Sequence, residues 1–268
     1  LHKNKATYKY KTISEPMRNK VHIIWYNELD STNNEALRRV SSLANLSVLA
    51  TFNQTAGRGQ RGNTWHAAPG ENLTFSMVLK FGHGALPPLR ANRQFRISQA
   101  ASLGLIDFLA EEGISCTVKW PNDIYAGRKK ICGMLVENAL AGEYLNASVV
   151  GIGLNVNQRE FSPSLVNPTS MACLTRLHYD IKELLPRLCE RLRVRFEALQ
   201  NEDTYLLLAR EYTDSLFQLG SVQDYVDCAS GALFSGTIVG VTETGRLLLQ
   251  TQEGLLRDYA FKEVNYII

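Results

Sequence analysis

Gln54-Thr55-Ala56-Gly57-Arg58-Gly59-Gln60-Arg61-Gly62-Asn63-Thr64-Trp65 is the stretch whose reading decides the fold. Three glycines, Gly57, Gly59 and Gly62, alternate with Arg58 and Arg61. Glycine lets a ligand come close to bare backbone N–H groups. Arginine brings a permanent charge and a planar fork suited to phosphate or carboxylate. The stretch contains a literal G-x-G-x-x-G, but a dinucleotide-binding fold needs a helix opening directly from the glycines. Here Pro69-Gly70 follows too soon for a helix. Asn63 stands where a P-loop carries its lysine. The H-R-D and D-F-G motifs that accompany a kinase Gly-rich loop are absent. The loop therefore suits a polyanion in some other architecture. Taken alone it also reads as a surface turn with two solvated arginines.

Composition narrows the class. The chain has 268 residues, 45% hydrophobic and 21% charged, with a net charge of +3. That length holds one large domain and a small one. The weak charge gives no support for nucleic-acid binding, and no apolar run is long enough to span a bilayer. Cys116, Cys132, Cys173, Cys189 and Cys228 form no C-x-x-C pair, which fits reduced thiols and a cytoplasmic protein. The five histidines form no zinc motif; His66 and His83 are expected at the surface.

Along the chain, residues 1–20 read as a basic tail with no apolar signal region. A strand is expected over Val21–Leu29, followed by Asp30-Ser31-Thr32-Asn33. Thr32 and Glu35 have capping-box spacing, ahead of a short helix with Ala36, Leu37, Val40 and Leu43 on its apolar face. Strands follow at Ser47–Phe52 and Asn72–Phe81, then a helix at Arg93–Glu112 stopped by Gly113. Strands at Cys116–Trp120, Lys130–Glu137 and Leu145–Ile152 are separated by turns, which implies a mixed, largely antiparallel sheet. Helices are expected over Ile181–Leu199, with Pro186 in the first turn or at a kink, and over Asp203–Leu216. From Gly220 onward short strands alternate with turns, the texture of a small β-barrel. The fold class is thus α/β in the α+β sense, with helices packed on the sheet. The expected division is a tail at 1–20, a catalytic domain at 21–218 and a C-terminal domain at 219–268.

Two more segments carry chemistry. Lys119-Trp120-Pro121-Asn122-Asp123 gathers a cation, an aromatic face, a rigid turn, an amide and a carboxylate. Those groups suit a nucleotide, although a strand end with Trp120 in the core reads equally well. Gly151-x-Gly153-x-Asn155 offers close backbone approach and an amide. In this order, with Asp30-Ser31-Thr32-Asn33, Gly62 with Trp65, and Lys130-x-x-Gly133-x-Leu135-x-Glu137, the segments resemble the biotin protein ligase family. The motifs cover roughly residues 21–157, and the layout extends to the C-terminus, where the family carries an SH3-like barrel.

The resemblance implies a two-step reaction. Biotin is activated by ATP and Mg²⁺ as biotinyl-5′-AMP, then passed to a lysine of a biotin carboxyl carrier protein, with no prosthetic group. It implies catalytic roles for Lys130 and Arg58. The biotin side would be Ser31, Thr32, Asn33, Gln54, Gly57, Arg58, Gly59, Gln60, Lys130 and Gly133. The nucleotide side would be Arg61, Gly62, Trp65, Lys119, Trp120, Asn122, Asp123 and Asn155, with Asp123 the candidate Mg²⁺ contact. The loop Gly57–Trp65 is expected to be mobile when empty and to order over the adenylate. Many members carry arginine where this chain has Gln60, which bears on adenylate retention. With only 20 residues before the first strand, a monofunctional ligase without a DNA-binding domain is expected. Family members are monomers or dimers through the sheet, and both stay open here. The alternatives are a lipoate or octanoate ligase or transferase of the same fold, or a non-catalytic biotin-sensing protein.

Overall fold

The computed structural model describes residues 21–82 and 85–267. The tail at 1–20 and His83 lie outside the described residues. The chain opens with β1 (His22–Leu29), α1 (Thr32–Arg38), β2 (Ser47–Gln54), β3 (Leu73–Lys80) and α2 (Phe95–Glu111). Next come β4 (Thr117–Lys119), β5 (Asp123–Ala126), β6 (Lys129–Ala141) and β7 (Tyr144–Leu154). Helices α3 (Met171–Thr175), α4 (Ile181–Glu197) and α5 (Glu202–Asp214) precede the last strands. These are β8 (Val222–Asp227), β9 (Leu233–Val241), β10 (Leu247–Thr251), β11 (Leu256–Tyr259) and β12 (Val264–Tyr266).

The first seven strands form one sheet in the order β1-β2-β3-β7-β6-β5-β4. Only β1 and β2 run parallel, joined by α1 as the crossover; the other pairs are antiparallel. The expected mixed, largely antiparallel sheet is therefore present. It has a strand more than expected in its meander, because Asp123–Ala126 pairs with both β4 and β6. Lys119–Asp123 is consequently the tip of a hairpin, with Lys119 opposite Asp123.

Strand β3 explains how the sheet is covered. Leu73, Phe75, Met77 and Leu79 enter the main core with Ile97, Phe108, Leu188 and Phe196 of α2 and α4. Val78 faces the other way, into a small core with Ala36, Leu43, Leu49 and Val149. Covered on both sides, β3 is buried from Leu73 to Leu79, with Thr74 and Ser76 beside Val78 on the second face. Pro186 lies inside α4, past its first turn. Among the described residues no helix is long and apolar enough to cross a membrane.

The capping box at the start of α1 does not form. Ser31, not Thr32, is the N-cap residue, and no side chain caps the helix. The Thr32 hydroxyl turns to Gln54 and the Glu35 carboxylate to Arg38. The C-terminal barrel also needs correcting. Strands β8–β12 form an antiparallel sheet ordered β11-β10-β9-β8-β12, and its edge strands β11 and β12 do not pair to close it. Its apolar face instead joins the main core through Tyr225, Ile238, Leu247 and Leu249.

Behind the sheet, Arg195 of α4 bridges α2 and α5. It donates two hydrogen bonds to Asp107 at 2.6 and 2.7 Å, and two to Glu211 at 2.5 and 2.7 Å. Its side chain is only 9% exposed. Removing it leaves two carboxylates facing each other without their shared cation. Arg195→Ala is expected to lower the unfolding free energy by about 2–3 kcal/mol, read as a lower urea midpoint. A midpoint within error of the unaltered protein would contradict this helix clasp.

Candidate active site

The predicted segments meet at one cleft whose floor is bare backbone. Gly133 of β6 pairs with Gly153 of β7, and Leu135 pairs with Gly151. A Cβ at Gly153 would stand 2.2 Å from the Trp65 ring, and one at Gly151 would stand 2.1 Å from Asn33 Oδ1. Glycine is required at both because other groups lie directly on the strands. The cleft has a cavity volume of about 160 Å³ beneath an open mouth.

One wall is the start of α1. Ser31, Thr32 and Asn33 are buried there although all are polar. The Thr32 N–H donates to Gln54 Oε1 at 2.8 Å. Ser76 Oγ of β3 lies 2.8 Å from Thr32 Oγ1 and 2.5 Å from Asn33 Oδ1. Asn33 Nδ2 donates to the Leu135 carbonyl at 3.2 Å and to Glu137 at 2.9 Å. Asn33 thereby spends its amide on holding the helix against β6 and β7. Ser31, Thr32 and Gln54 line the cleft with it.

The Gly-rich stretch forms the opposite rim as a small hairpin. Trp65 N–H donates to the Gly57 carbonyl at 3.1 Å and Gly59 N–H to Asn63 at 2.7 Å, around a 3₁₀ turn at Gln60–Gly62. Arg58, Gly59, Gln60 and Trp65 line the cleft. Gly57 and Gly62 belong to the hairpin but do not line the cleft, and the Arg61 side chain lies outside what is described. The indole N–H of Trp65 and Oε1 of Gln60 are buried with no partner among the described residues. A buried donor and acceptor left open in one cleft fit a polar ligand.

Three cations surround the floor. Arg58 donates to Glu137 at 2.8 and 3.1 Å and to Asn34 at 2.7 Å. Lys130 Nζ lies 2.7 Å from Asp123. Lys119 has no carboxylate within salt-bridge distance among the described residues. Burial holds the Lys119 ammonium below its usual pKa; Asp123 opposes this shift and Lys130 adds to it.

The hairpin tip and the C-terminal sheet complete the cleft. Trp120 is 5% exposed, lines the cleft, and donates from its indole to the Gly245 carbonyl at 2.9 Å. Asn122 lines the cleft and donates to the Met134 carbonyl. Asn155 does not line it: its amide donates to the Thr169 carbonyl at 2.9 Å, past the end of β7. Sequence reasoning missed Thr74, Met134, Ile152 and Phe261, which also line the cleft, and it missed the anchoring role of Ser76. Two polar residues, Thr74 and Ser76, in a stretch otherwise apolar from Leu73 to Leu79 were the available signal. Among the described residues no three metal-binding side chains cluster.

Residues 25–155 match the biotin/lipoate A/B protein ligase family. A biotin–[acetyl-CoA-carboxylase] ligase of Mycobacterium tuberculosis is 30% identical over 82% of this chain and 79% of its own length. Its counterpart from Paracoccus denitrificans is 28% identical over 84% and 92%. The biotin protein ligase of Aquifex aeolicus, solved in complex with biotin and ATP, superposes with a TM-score of 0.72 at 26% identity, covering 92% of this chain and 99% of that one. The fold and the cleft thus define a member of the biotin/lipoate protein ligase family. Residues 230–263 match the biotin protein ligase C terminal domain. Within the family, the chain belongs with the biotin protein ligases.

Two predictions follow from this geometry. Gly153→Ala places a methyl group inside the Trp65 ring and expels it from the floor, at a cost of about 1–3 kcal/mol. The tryptophan emission should shift to longer wavelength, and affinity for the cleft's ligand should fall by about tenfold. Unchanged emission would place Trp65 elsewhere. Lys119→Met removes a charge whose folded-state pKa is depressed. Below that depressed pKa both folded and unfolded chains are protonated, and the destabilisation is fully present. It fades as pH rises from that depressed value to the ordinary lysine value, above which both are neutral. The variant should be more stable than the unaltered protein by urea unfolding at pH 7, with a smaller gain at about pH 10.5. A gain that grows with pH would contradict this sign.

Proposed function

We propose that this biotin protein ligase joins biotin to ATP in the cleft, forming biotinyl-5′-AMP, and then passes the biotinyl group to a lysine of a biotin carboxyl carrier protein. The observation that carries the reading is Arg58, Lys119 and Lys130 set around a floor of bare glycine backbone. The first step brings together two anions, a carboxylate and a triphosphate. In a partly enclosed site they approach only where fixed positive charge offsets their repulsion. Lys130 and Arg58 now hold Asp123 and Glu137. Incoming anions would replace those carboxylates, so the cations are poised without being left unpaired.

The biotin carboxylate oxygen bonds to the α-phosphorus and the bond to the β-phosphate oxygen breaks, releasing pyrophosphate. Lys130, next to the Gly133–Gly153 floor, is placed to neutralise the charge that gathers on the α-phosphate oxygens. In the second step a neutral lysine amine of the carrier attacks the acyl carbon. AMP leaves with the electron pair and the amine loses a proton. Ser31, Thr32, Gln54 and the floor glycines would hold biotin's ring end, with Arg58 at its carboxylate. Lys119, Trp120, Asn122 and Asp123 would take the nucleotide. The Trp65 indole and the hairpin at 57–65 would exclude water from the mixed anhydride, which hydrolyses readily. Mg²⁺ carried on the triphosphate needs only one or two protein carboxylates. Asp123 is a carboxylate lining the cleft and fits that need. The C-terminal sheet would serve as the family's SH3-like unit.

ATP–pyrophosphate exchange with biotin, lipoate or octanoate as the only acid tests the reading. Biotin-dependent exchange is expected. Exchange with lipoate or octanoate instead would overturn the substrate, and exchange with none, in folded protein, would overturn the activity. Lys130→Ala should reduce biotin-dependent exchange by about 10²-fold or more with an unchanged circular dichroism spectrum. Near-normal exchange in that variant would remove Lys130 from the mechanism.

A further inference from the structure

Lys119 differs from the other two cations of the cleft in what holds it. Its ammonium lies 5.4 Å from the ring centroid of Tyr125 in β5 and 5.0 Å from that of Tyr266 in β12. Both distances fall in the range where an aromatic face attracts a cation. No hydrogen-bond acceptor for its Nζ is found among the described residues, whereas Lys130 and Arg58 each hold a carboxylate. An aromatic clamp fixes a cation in place without neutralising it. The N–H donors stay free for an anion entering the cleft that Lys119 lines.

Tyr266 has no other evident polar task. Its hydroxyl is buried without a partner, as is that of Tyr225. Its ring meets Tyr225 edge to face at 5.4 Å. Burial pushes the Tyr266 phenol well above its usual pKa, so it stays neutral and does not compete as an anion for Lys119. Tyr266 therefore offers Lys119 its ring face, not its oxygen.

Resting on the ligase reading above, we infer that Tyr266 is a positioning residue for nucleotide binding: with Tyr125 it clamps Lys119 for the phosphates of ATP, which makes the last strand of the C-terminal sheet part of the nucleotide site. The role acts through Lys119 and involves no contact between Tyr266 and the substrate.

The test uses the full chain and four variants: Tyr266→Phe, Tyr266→Leu, Lys119→Met and the Lys119→Met/Tyr266→Leu pair. ATP is varied at saturating biotin in the exchange assay, and calorimetry measures ATP and biotin binding separately. Tyr266→Leu should raise the KM and Kd for ATP about tenfold with kcat changed by less than about threefold. Tyr266→Phe, which keeps the ring, should stay within about twofold. The double variant should bind ATP no more weakly than Lys119→Met alone, because both act through one cation. The affinity for biotin alone should not move. If Tyr266→Leu does not fold, Tyr266→Met serves the same purpose by keeping volume without a π face. An unchanged ATP affinity, a Phe variant as impaired as the Leu variant, or additive losses in the pair would each overturn the clamp. Absence of biotin-dependent exchange in the unaltered protein would overturn the ligase reading instead, and calorimetry with ATP would still decide the clamp.

Discussion

The site depends on three missing side chains. Gly133, Gly151 and Gly153 leave a strip of β6 and β7 bare, and Asn33 and Trp65 lie directly on that strip. Asn33 is the more consequential of the two. Its amide, bonded to Leu135, Glu137 and Ser76, fastens the start of α1 to the sheet centre. That bond set places Thr32 beside Gln54 and thereby joins the α1 wall to the end of β2, where the Gly-rich hairpin begins. A side chain at Gly151 would push out Asn33 and move the wall as a unit.

The electrostatics of the cleft follow from the same frame. The hairpin carries Arg58 over to Glu137 on β6, and the β4–β5 turn sets Asp123 against Lys130 on the neighbouring strand. These pairs keep partly buried cations compensated in the absence of an anionic ligand. An anion entering the cleft exchanges one charged partner for another and does not have to desolvate a lone cation. Lys119 is the exception: it holds no carboxylate at salt-bridge distance among the described residues, and burial lowers its pKa, with Asp123 opposing the shift and Lys130 adding to it.

Much of this was legible in the sequence where the signal was local. The Gly-rich stretch and Lys119–Asp123 each gather their groups within a few residues, and the structure brings both to one cleft. What stayed hidden depends on contacts between distant segments. Ser76 reaches Thr32 and Asn33 only because β3 lies across from α1. Phe261 reaches the cleft only through the packing of the C-terminal sheet. The capping box failed because Gln54, more than twenty residues away, supplied a better partner for Thr32 than the helix end did. Strand β5 was missed because four residues between Asn122 and Gly127 carry turn residues on both sides. The closed barrel was expected because alternating strands and turns look the same whether or not the edge strands meet.

The contact between Trp120 and the Gly245 carbonyl has a consequence for how the protein matures. It ties a residue near the middle of the chain to one 125 positions later, and Phe261 stands against the same indole at 6.3 Å. Contacts that span so much sequence form late, because the intervening chain must first be ordered. On the ribosome, the hairpin at 57–65 and the whole first sheet emerge before the segment that finishes their cleft. A nascent chain that has not yet released those strands lacks both this wall of the cleft and their share of the main core. The cleft gains its last wall only when the final strands dock.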